Sequence, residues 1–329
     1  MSTGVDPAIG VDVGASTISA GLIDPDGAVI FASQAPTGGS GHVVETITSL
    51  LDGALAEASQ RRIRVEGIGV GLPGLVDVEK GCMRSVDGGW MNELSGMPLA
   101  SLLRERTGQL VFVDNDVNAL TLSESRWGFG RNASSLVTIA IGTGIGGGMV
   151  LNGVLIRGHL NTAGEIGHVA VSLDGPRCVC GAVGCLSVYV AGRVISDRAR
   201  ERLADYPDST VLARAGGDPG RIGAETLFTA AAAGDPLARA VVDQACEALA
   251  VGLGAVANLL NPEVIVVTGG VAASLAPLKP DILMRMSRRT LPFVLDATTV
   301  HFVPADKGNT VRGGAALVLY ELGRRGRDL

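Results

Sequence analysis

Apolar residues along the chain come in short runs broken by glycine, proline and acidic turns. Residues 8–14 form one such run ending in glycine, which predicts a strand. Ile18 to Ile23 and Val29 to Ala32 predict two more, joined by the turn residues Asp24, Pro25, Asp26 and Gly27. From His42 to Gln60, Val, Ile, Leu and Ala recur at helical spacing. A strand over Gly67–Gly71 follows, broken by Pro73 and Gly74. Next come a helix over Leu99–Arg106 and a strand over Val111–Val113. Asp114, Asn115 and Asp116 stand at that strand's end, and a helix over Val117–Gly128 enters from them.

The pattern then restarts. Leu136–Ile141 reads as a strand, Thr143–Gly148 as a glycine turn, and Met149–Leu155 as a returning strand. A strand, a glycine turn and a hairpin thus occur near 9–34 and again near 136–157, which predicts two similarly built domains. Residues 186–204 and 224–260 read as mostly helix, Glu263–Thr268 as a strand, and Asn309–Arg324 as a last helix. Asp208–Arg221, rich in Gly and Ala, reads as loop or weak helix. Leu136–Ile156 carries no charge and is long enough to span a membrane, but its glycines favour two short strands around a turn. The apolar stretch Ala248–Leu278 is interrupted by Asn261, Pro262 and Glu263.

Composition narrows the class. Of 329 residues 47 are glycine, about twice the usual share, while proline is ordinary at 14, so the chain is neither disordered nor collagen-like. Aromatics at 3% argue against stacking platforms for single-stranded nucleic acid, and a net charge of −6 argues against a DNA-binding surface. The N-terminus lacks the basic start and apolar run of a signal peptide, and the expectation is a soluble cytoplasmic protein. The five cysteines are an odd number, three of them clustered, which suits a metal site in a reducing compartment better than a disulfide framework.

Three strand ends carry glycine turns. Ile141–Gly148 follows an apolar strand, and its backbone N–H groups and Thr143 hydroxyl suit phosphate oxygens, though a plain tight hairpin has the same pattern. It is not a P-loop, and its continuation into a strand argues against a dinucleotide fold. Asp12-Val-Gly14 sets an acid beside a turn, either a simple turn former or a Mg²⁺ holder acting through water. Gly269–Gly270 ends a third strand, where a nucleoside could lie against backbone. Asp114-Asn115-Asp116 suits helix capping, or one carboxylate facing a substrate as a proton acceptor. His168, Cys178, Cys180 and Cys185 form the sharpest signal: one imidazole and three thiolates complete a closed tetrahedral zinc set, structural rather than hydrolytic. Cys82 and Cys246 read as packing residues.

These motifs, together with Gly69–Gly74, Val113–Ala119 and Gly164–His168, run in the order found in the ROK family (repressors, open reading frames and sugar kinases). Across nearly its whole length the chain resembles that family, especially its bacterial glucokinase branch. The resemblance implies an α/β protein of two actin/hexokinase-like (ribonuclease H-like) domains with sugar and ATP in the cleft between them. The first would comprise 1–117 plus 310–329, and the second, 118–309, would carry the zinc loop. It further implies an ATP-dependent sugar kinase with Asp116 as general base for a primary, C6-type hydroxyl. Gly74, Asn115, Asp116, Glu165 and His168 would bind the sugar. Asp12, Gly14, Ser16, Thr17, Thr143 and Gly144 would surround phosphates and Mg²⁺, and Gly269 and Gly270 the nucleoside. A homodimer is implied as well. Repressors of the family carry a winged-helix region ahead of the first phosphate motif. Here that motif starts at Asp12, so the expectation is a kinase, with a weakly catalytic sugar sensor lacking DNA contact as the alternative.

The chain departs from the family pattern at two substrate positions. Ser187 stands where members usually have a Glu that contacts the sugar near C1, and Asp87 stands where the kinase branch often has Asn. The phosphate motif also differs, with Ala15, Ser16 and Thr17 after Gly14. A hydroxyl in place of a carboxylate and an added charge near a ring substituent point to a modified substrate, an aminohexose or a cyclitol analogue. Glucose remains the other reading if water or a neighbouring side chain replaces the missing Glu.

Overall fold

A computed structural model describes residues 6–38, 42–84 and 92–325. The chain opens with β1 (Ala8–Val13), β2 (Thr17–Ile23) and β3 (Val29–Pro36), then α1 (Val43–Gln60) and β4 (Ile68–Leu72). A small ribbon, β5 (Val76–Asp77) and β6 (Cys82–Met83), precedes α2 (Leu99–Thr107), β7 (Val111–Asn115) and α3 (Asp116–Trp127). The second sheet begins with β8 (Leu136–Ile141), β9 (Ile145–Leu151) and β10 (Val154–Leu155). A helical stretch follows: α4 (Ser187–Val190), α5 (Gly192–Glu201), α6 (Val211–Arg214), α7 (Ala224–Ala232) and α8 (Pro236–Leu260). The chain ends with β11 (Val264–Thr268), α9 (Ala272–Leu275), α10 (Lys279–Ser287), α11 (Pro292–Ala297), β12 (Thr299–Phe302) and α12 (Lys307–Arg325).

The two main sheets share one plan. Their strand orders are β3-β2-β1-β4-β7 and β10-β9-β8-β11-β12. In the first, β1 pairs antiparallel with β2 and parallel with β4, which pairs parallel with β7. In the second, β11 lies parallel to both β8 and β12, while β9 and β10 form an antiparallel hairpin. The central strands β1 and β4 are apolar on both faces because helices cover them, as parallel strands require. This is the actin/hexokinase-like α/β fold.

The chain packs as two compact units, Met1–Ser134 with Gly148–Ala163 and Asp306–Leu329, and Ser135–Gly147 with Gly164–Ala305. The division suggested by the sequence, at 117/118 and 309/310, differs chiefly over α3 and residues 148–163, both of which pack in the first unit.

Local chemistry sets the element ends. Asn115 caps α3, its Oδ1 accepting from Val117 N at 2.9 Å and Asn118 N at 3.2 Å. Asp235 caps α8 through Ala238 N, with Pro236 at the first helical position. Asn261 ends the helix in the left-handed region at φ 44°. α8 is long and apolar enough to cross a membrane, yet most of its apolar stretch is buried among neighbouring helices, as in a core helix.

Two expected boundaries shift. Asp114 and Asn115 belong to β7 rather than lying past its end, because their backbones pair with Gly71 and Leu72 of β4. The glycine turn is shorter than 143–148: β9 starts at Ile145, so Gly146, Gly147 and Gly148 are strand residues.

Candidate functional site

In the first unit the candidate groups gather at the carboxyl ends of parallel strands. Asp12 of β1 pairs in register with Gly71 of β4, and Gly71 with Asp114 of β7. Ligand sites of open α/β sheets lie at this edge. The three residues 114–116 then divide their work. Asp114 is buried and accepts from Arg157 Nε at 2.7 Å and Asn118 Nδ2 at 2.9 Å. Arg157 also reaches Glu321 of α12 at 2.6 Å, so Asp114 belongs to a structural ion-pair network. Asn115 caps α3 while its Nδ2 donates to Gly74 O at 3.0 Å, tying the expected sugar contacts Asn115 and Gly74 together.

Asp116, the first residue of α3, keeps part of its surface open and its Oδ1 accepts from Val117 N at 2.9 Å. Burial, reinforced by the Asp12 charge, pushes its carboxyl up to about 7. Burial likewise raises Asp12, against a lowering hydrogen bond from Thr310. Two carboxylates in each other's field make a donor set that a divalent cation would relieve. Gly71 gives α3 its position: a Cβ there would lie 3.2 Å from Asp116 Cα. The Gly14 turn is closed by Gly14 N donating to Thr17 O at 3.0 Å. Thr37 braces it, its Oγ1 donating to Gly14 O at 2.7 Å and its N to Ser16 O at 3.1 Å. Ser16 is exposed beside it.

In the second unit the other two glycine turns lie against each other. Val271 N donates to Ile141 O at 3.0 Å, and Gly192 N at the start of α5 donates to Gly142 O at 2.9 Å. Gly269 is required there: its φ is 98°, and a Cβ would lie 2.4 Å from Ile141 O. Gly142, Gly144 and Gly270 differ, since a Cβ on any of them would meet nothing within 4 Å. Open space lies beside each of these backbones, room that a phosphate would need, while the Gly142 N–H itself donates to Gly144 O at 2.9 Å.

Within the same unit lies a pocket of about 520 Å³ whose lining includes Thr143, Gly144, His168, Cys178, Ser187 and Arg193. Glu165 stands exposed before the short turn Ile166–His168. Ser187 Oγ donates to Gly167 O at 2.7 Å, so the serine at the departing position braces the turn that carries His168.

The cysteine loop closes as the spacing predicts. The nearest ligand atoms of His168, Cys178, Cys180 and Cys185 all lie within 4.8 Å of one another. His168 Nδ1 is 3.6 Å from Cys178 Sγ, and Cys180 Sγ is 3.7 Å from Cys185 Sγ. A zinc tetrahedron with metal–sulfur bonds of about 2.3 Å has edges of about 3.8 Å, so the set fits the ion. With Nδ1 turned to the thiols, His168 keeps Nε2 for another partner.

Asp87 lies outside the described residues. Sequence reasoning missed Thr310, Thr37 and Arg157, which lie far along the chain from the groups they hold and sit in no motif.

The ROK family profile matches residues 8–321. The chain belongs to the ROK family. It is 32% identical to a glucokinase of Thermotoga maritima over 324 residues, 96% of this chain and 98% of that protein. It is 29% identical to an N-acetyl-D-glucosamine kinase of Citrobacter koseri, over 95% of this chain and 99% of that one. Among solved structures, the ROK family glucokinase of Streptomyces griseus in complex with glucose and AMPPNP superposes with a TM-score of 0.75 at 28% identity. That match covers 94% of this chain and 98% of the other.

Proposed function

We propose that this ROK protein transfers the γ-phosphoryl group of ATP to a primary, C6-type hydroxyl of a hexose-like substrate, an aminohexose or a cyclitol. Its class is that of its relatives: an ATP-dependent sugar kinase. The observation that carries the reading is Asp116, a carboxyl poised near 7 at the start of a capped helix, beside Asp12 and clear of the ion pair that occupies Asp114. As the hydroxyl oxygen attacks phosphorus, Asp116 accepts its proton, and ADP leaves with the bond to the β-phosphate oxygen. Asn115 is fixed by Gly74 and the α3 amides, which suits a sugar-hydroxyl contact that must not move. Glu165 and His168 bind ring hydroxyls, and Thr143, Gly144, Gly269 and Gly270 face the nucleotide. Mg²⁺, held through Asp12, would neutralise charge on the phosphates. Zinc, held by His168, Cys178, Cys180 and Cys185, would fix the loop and orient His168.

Ser187 supports the substrate reading. Its hydroxyl hydrogen is committed to Gly167 O, so the position offers a sugar no carboxylate acceptor. Relatives named glucokinase and N-acetyl-D-glucosamine kinase bracket this choice. The reading carries with it a cytoplasmic homodimer that does not bind nucleic acid, in keeping with the net charge of −6. ADP release, measured with and without sugar, tests the class. Sugar-dependent release that falls roughly 10²–10⁴-fold in Asp116→Asn supports it. Sugar-independent release would make the protein a bare ATPase, and sugar binding without release would make it a sensor.

A further inference from the structure

A second concavity lies wholly within the first unit and apart from Asp12, Asn115 and Asp116. Its volume is about 1060 Å³, and it is framed by the C-terminal ends of α3 and α12 and by the β2–β3 and β9–β10 turns. Arg126, Arg131 and Arg324 line it, against a single carboxylate, Asp26. Among the described residues none of the three guanidinium groups is paired with a carboxylate within salt-bridge distance. Arg126 instead stacks over Trp127 at 5.5 Å, and Arg324 over Tyr320 at 5.9 Å. Partial burial of its stem against the wall lowers the Arg126 pKa below the ordinary arginine value, with the Asp26 charge opposing.

The walls are fixed before any ligand arrives. Trp127 Nε1 donates to Pro25 O at 3.1 Å, and the indole packs against Gly27, where a Cβ would lie 2.7 Å from the ring. Tyr320 OH accepts from Leu155 N at 2.9 Å. Two arginines are therefore laid on rigid rings, an arrangement that presents planar donor forks at low entropic cost. Compensation of helix dipoles accounts for cations at the ends of α3 and α12. It does not account for Arg131, which lies beyond α3 in a turn closed by its own N–H to Gly128 O. Asp26 adds one acceptor beside the cations, suited to a hydroxyl on the group that carries the anion.

We propose that this basin binds the phosphate monoester of a polyol, with Arg126, Arg131 and Arg324 on the phosphate and Asp26 on a hydroxyl. Sugar phosphates and nucleoside monophosphates share that chemistry. The test uses Trp127 emission in the full chain carrying Trp90→Phe, since the sequence holds only these two tryptophans. Hexose 6-phosphate, AMP and inorganic phosphate are titrated separately, and the tighter of the two esters identifies the source. A saturable change in emission is expected with one ester. Binding should weaken about tenfold or more when Arg126→Ala and Arg131→Ala are combined, and should weaken with added salt in the parent. Both arginines are exposed, and an unchanged melting temperature confirms that the variant folds. The absence of saturable binding, or equal affinity in the double variant, overturns the site and leaves the arginines as helix-end charges. Inorganic phosphate binding as tightly as either ester overturns the assignment to a polyol monoester.

Discussion

Two aspartates two positions apart have opposite fates, and the local sequence alone could not separate them. Asp114 is bound to Arg157, 43 residues away, whereas Asp116 meets Asp12, more than a hundred residues earlier. Resemblance to the ROK family singled out Asp116, and the packing supplies the physical reason. With its carboxyl pushed up to about 7, Asp116 is half protonated at neutral pH, so if it is the proposed base, kcat/KM should fall on an acid limb centred near 7. Burial is the larger cause of the raised pKa and the Asp12 charge the smaller. Asp12→Asn should therefore move that limb to lower pH without returning it to 3.8, read from a pH–rate profile on whatever activity remains. An unmoved limb would mean that the two carboxylates do not interact. Stability follows the opposite course to activity. Folding favours the protonated carboxyl, so the stabilisation is complete below about 3.8 and is lost as pH rises through about 7. Asp116→Asn should consequently melt higher than the parent at pH 8, and close to it at pH 4, while losing activity at pH 8.

At the scale of elements, the glycine excess resolves into two kinds of position that the sequence shows alike. Gly10 and Gly69 lie where α12 crosses β1 and β4: a Cβ would come 1.8 Å from Val311 O and 1.9 Å from Gly314 O respectively. These contacts are backbone on backbone and cannot yield, so Gly69→Ala should cost about 3 kcal/mol or more in urea unfolding. Gly142 lies in the turn after β8 and faces open space. Gly142→Ala should leave stability within about 1 kcal/mol and raise the KM for ATP instead. If Gly69→Ala were harmless, the close seating of α12 on the sheet would be wrong. The cysteine loop was legible in the sequence because all four candidate zinc ligands lie within eighteen residues of one another, with Cys-x-Cys spacing. Metal analysis should find one zinc per chain. Because His168 is both an expected ligand and an expected sugar contact, Cys185→Ala should lower the melting temperature and raise the KM for sugar more than that for ATP.

Across the whole molecule, the hairpin half of each sheet was visible in the sequence, because a strand, a glycine turn and a returning strand are contiguous. The parallel half was not: β4, β7, β11 and β12 reach their partners only after long crossovers, and nothing local records that pairing. The shared strand order of the two sheets is therefore a finding of the structure, whereas the repeat behind it was an expectation. The same division governs substrate choice. The sequence marked Ser187 as the departure, and the structure adds that its hydroxyl holds the Gly167 carbonyl under His168, inside the pocket that also contains Thr143 and Gly144. A glutamate there would give up that bond and bring a carboxylate acceptor into the pocket. If the missing acceptor is what turns the enzyme from glucose, Ser187→Glu should raise kcat/KM for glucose relative to aminohexoses and cyclitols by about tenfold or more. The parent should rank the modified substrates above glucose in a phosphorylation panel with the phosphate position mapped on each product. A parent that prefers plain glucose, or a Ser187→Glu variant with unchanged ranking, would remove Ser187 as the determinant. The C1 end of the sugar would then be recognised by some other group, and the role of Ser187 would reduce to bracing the His168 turn.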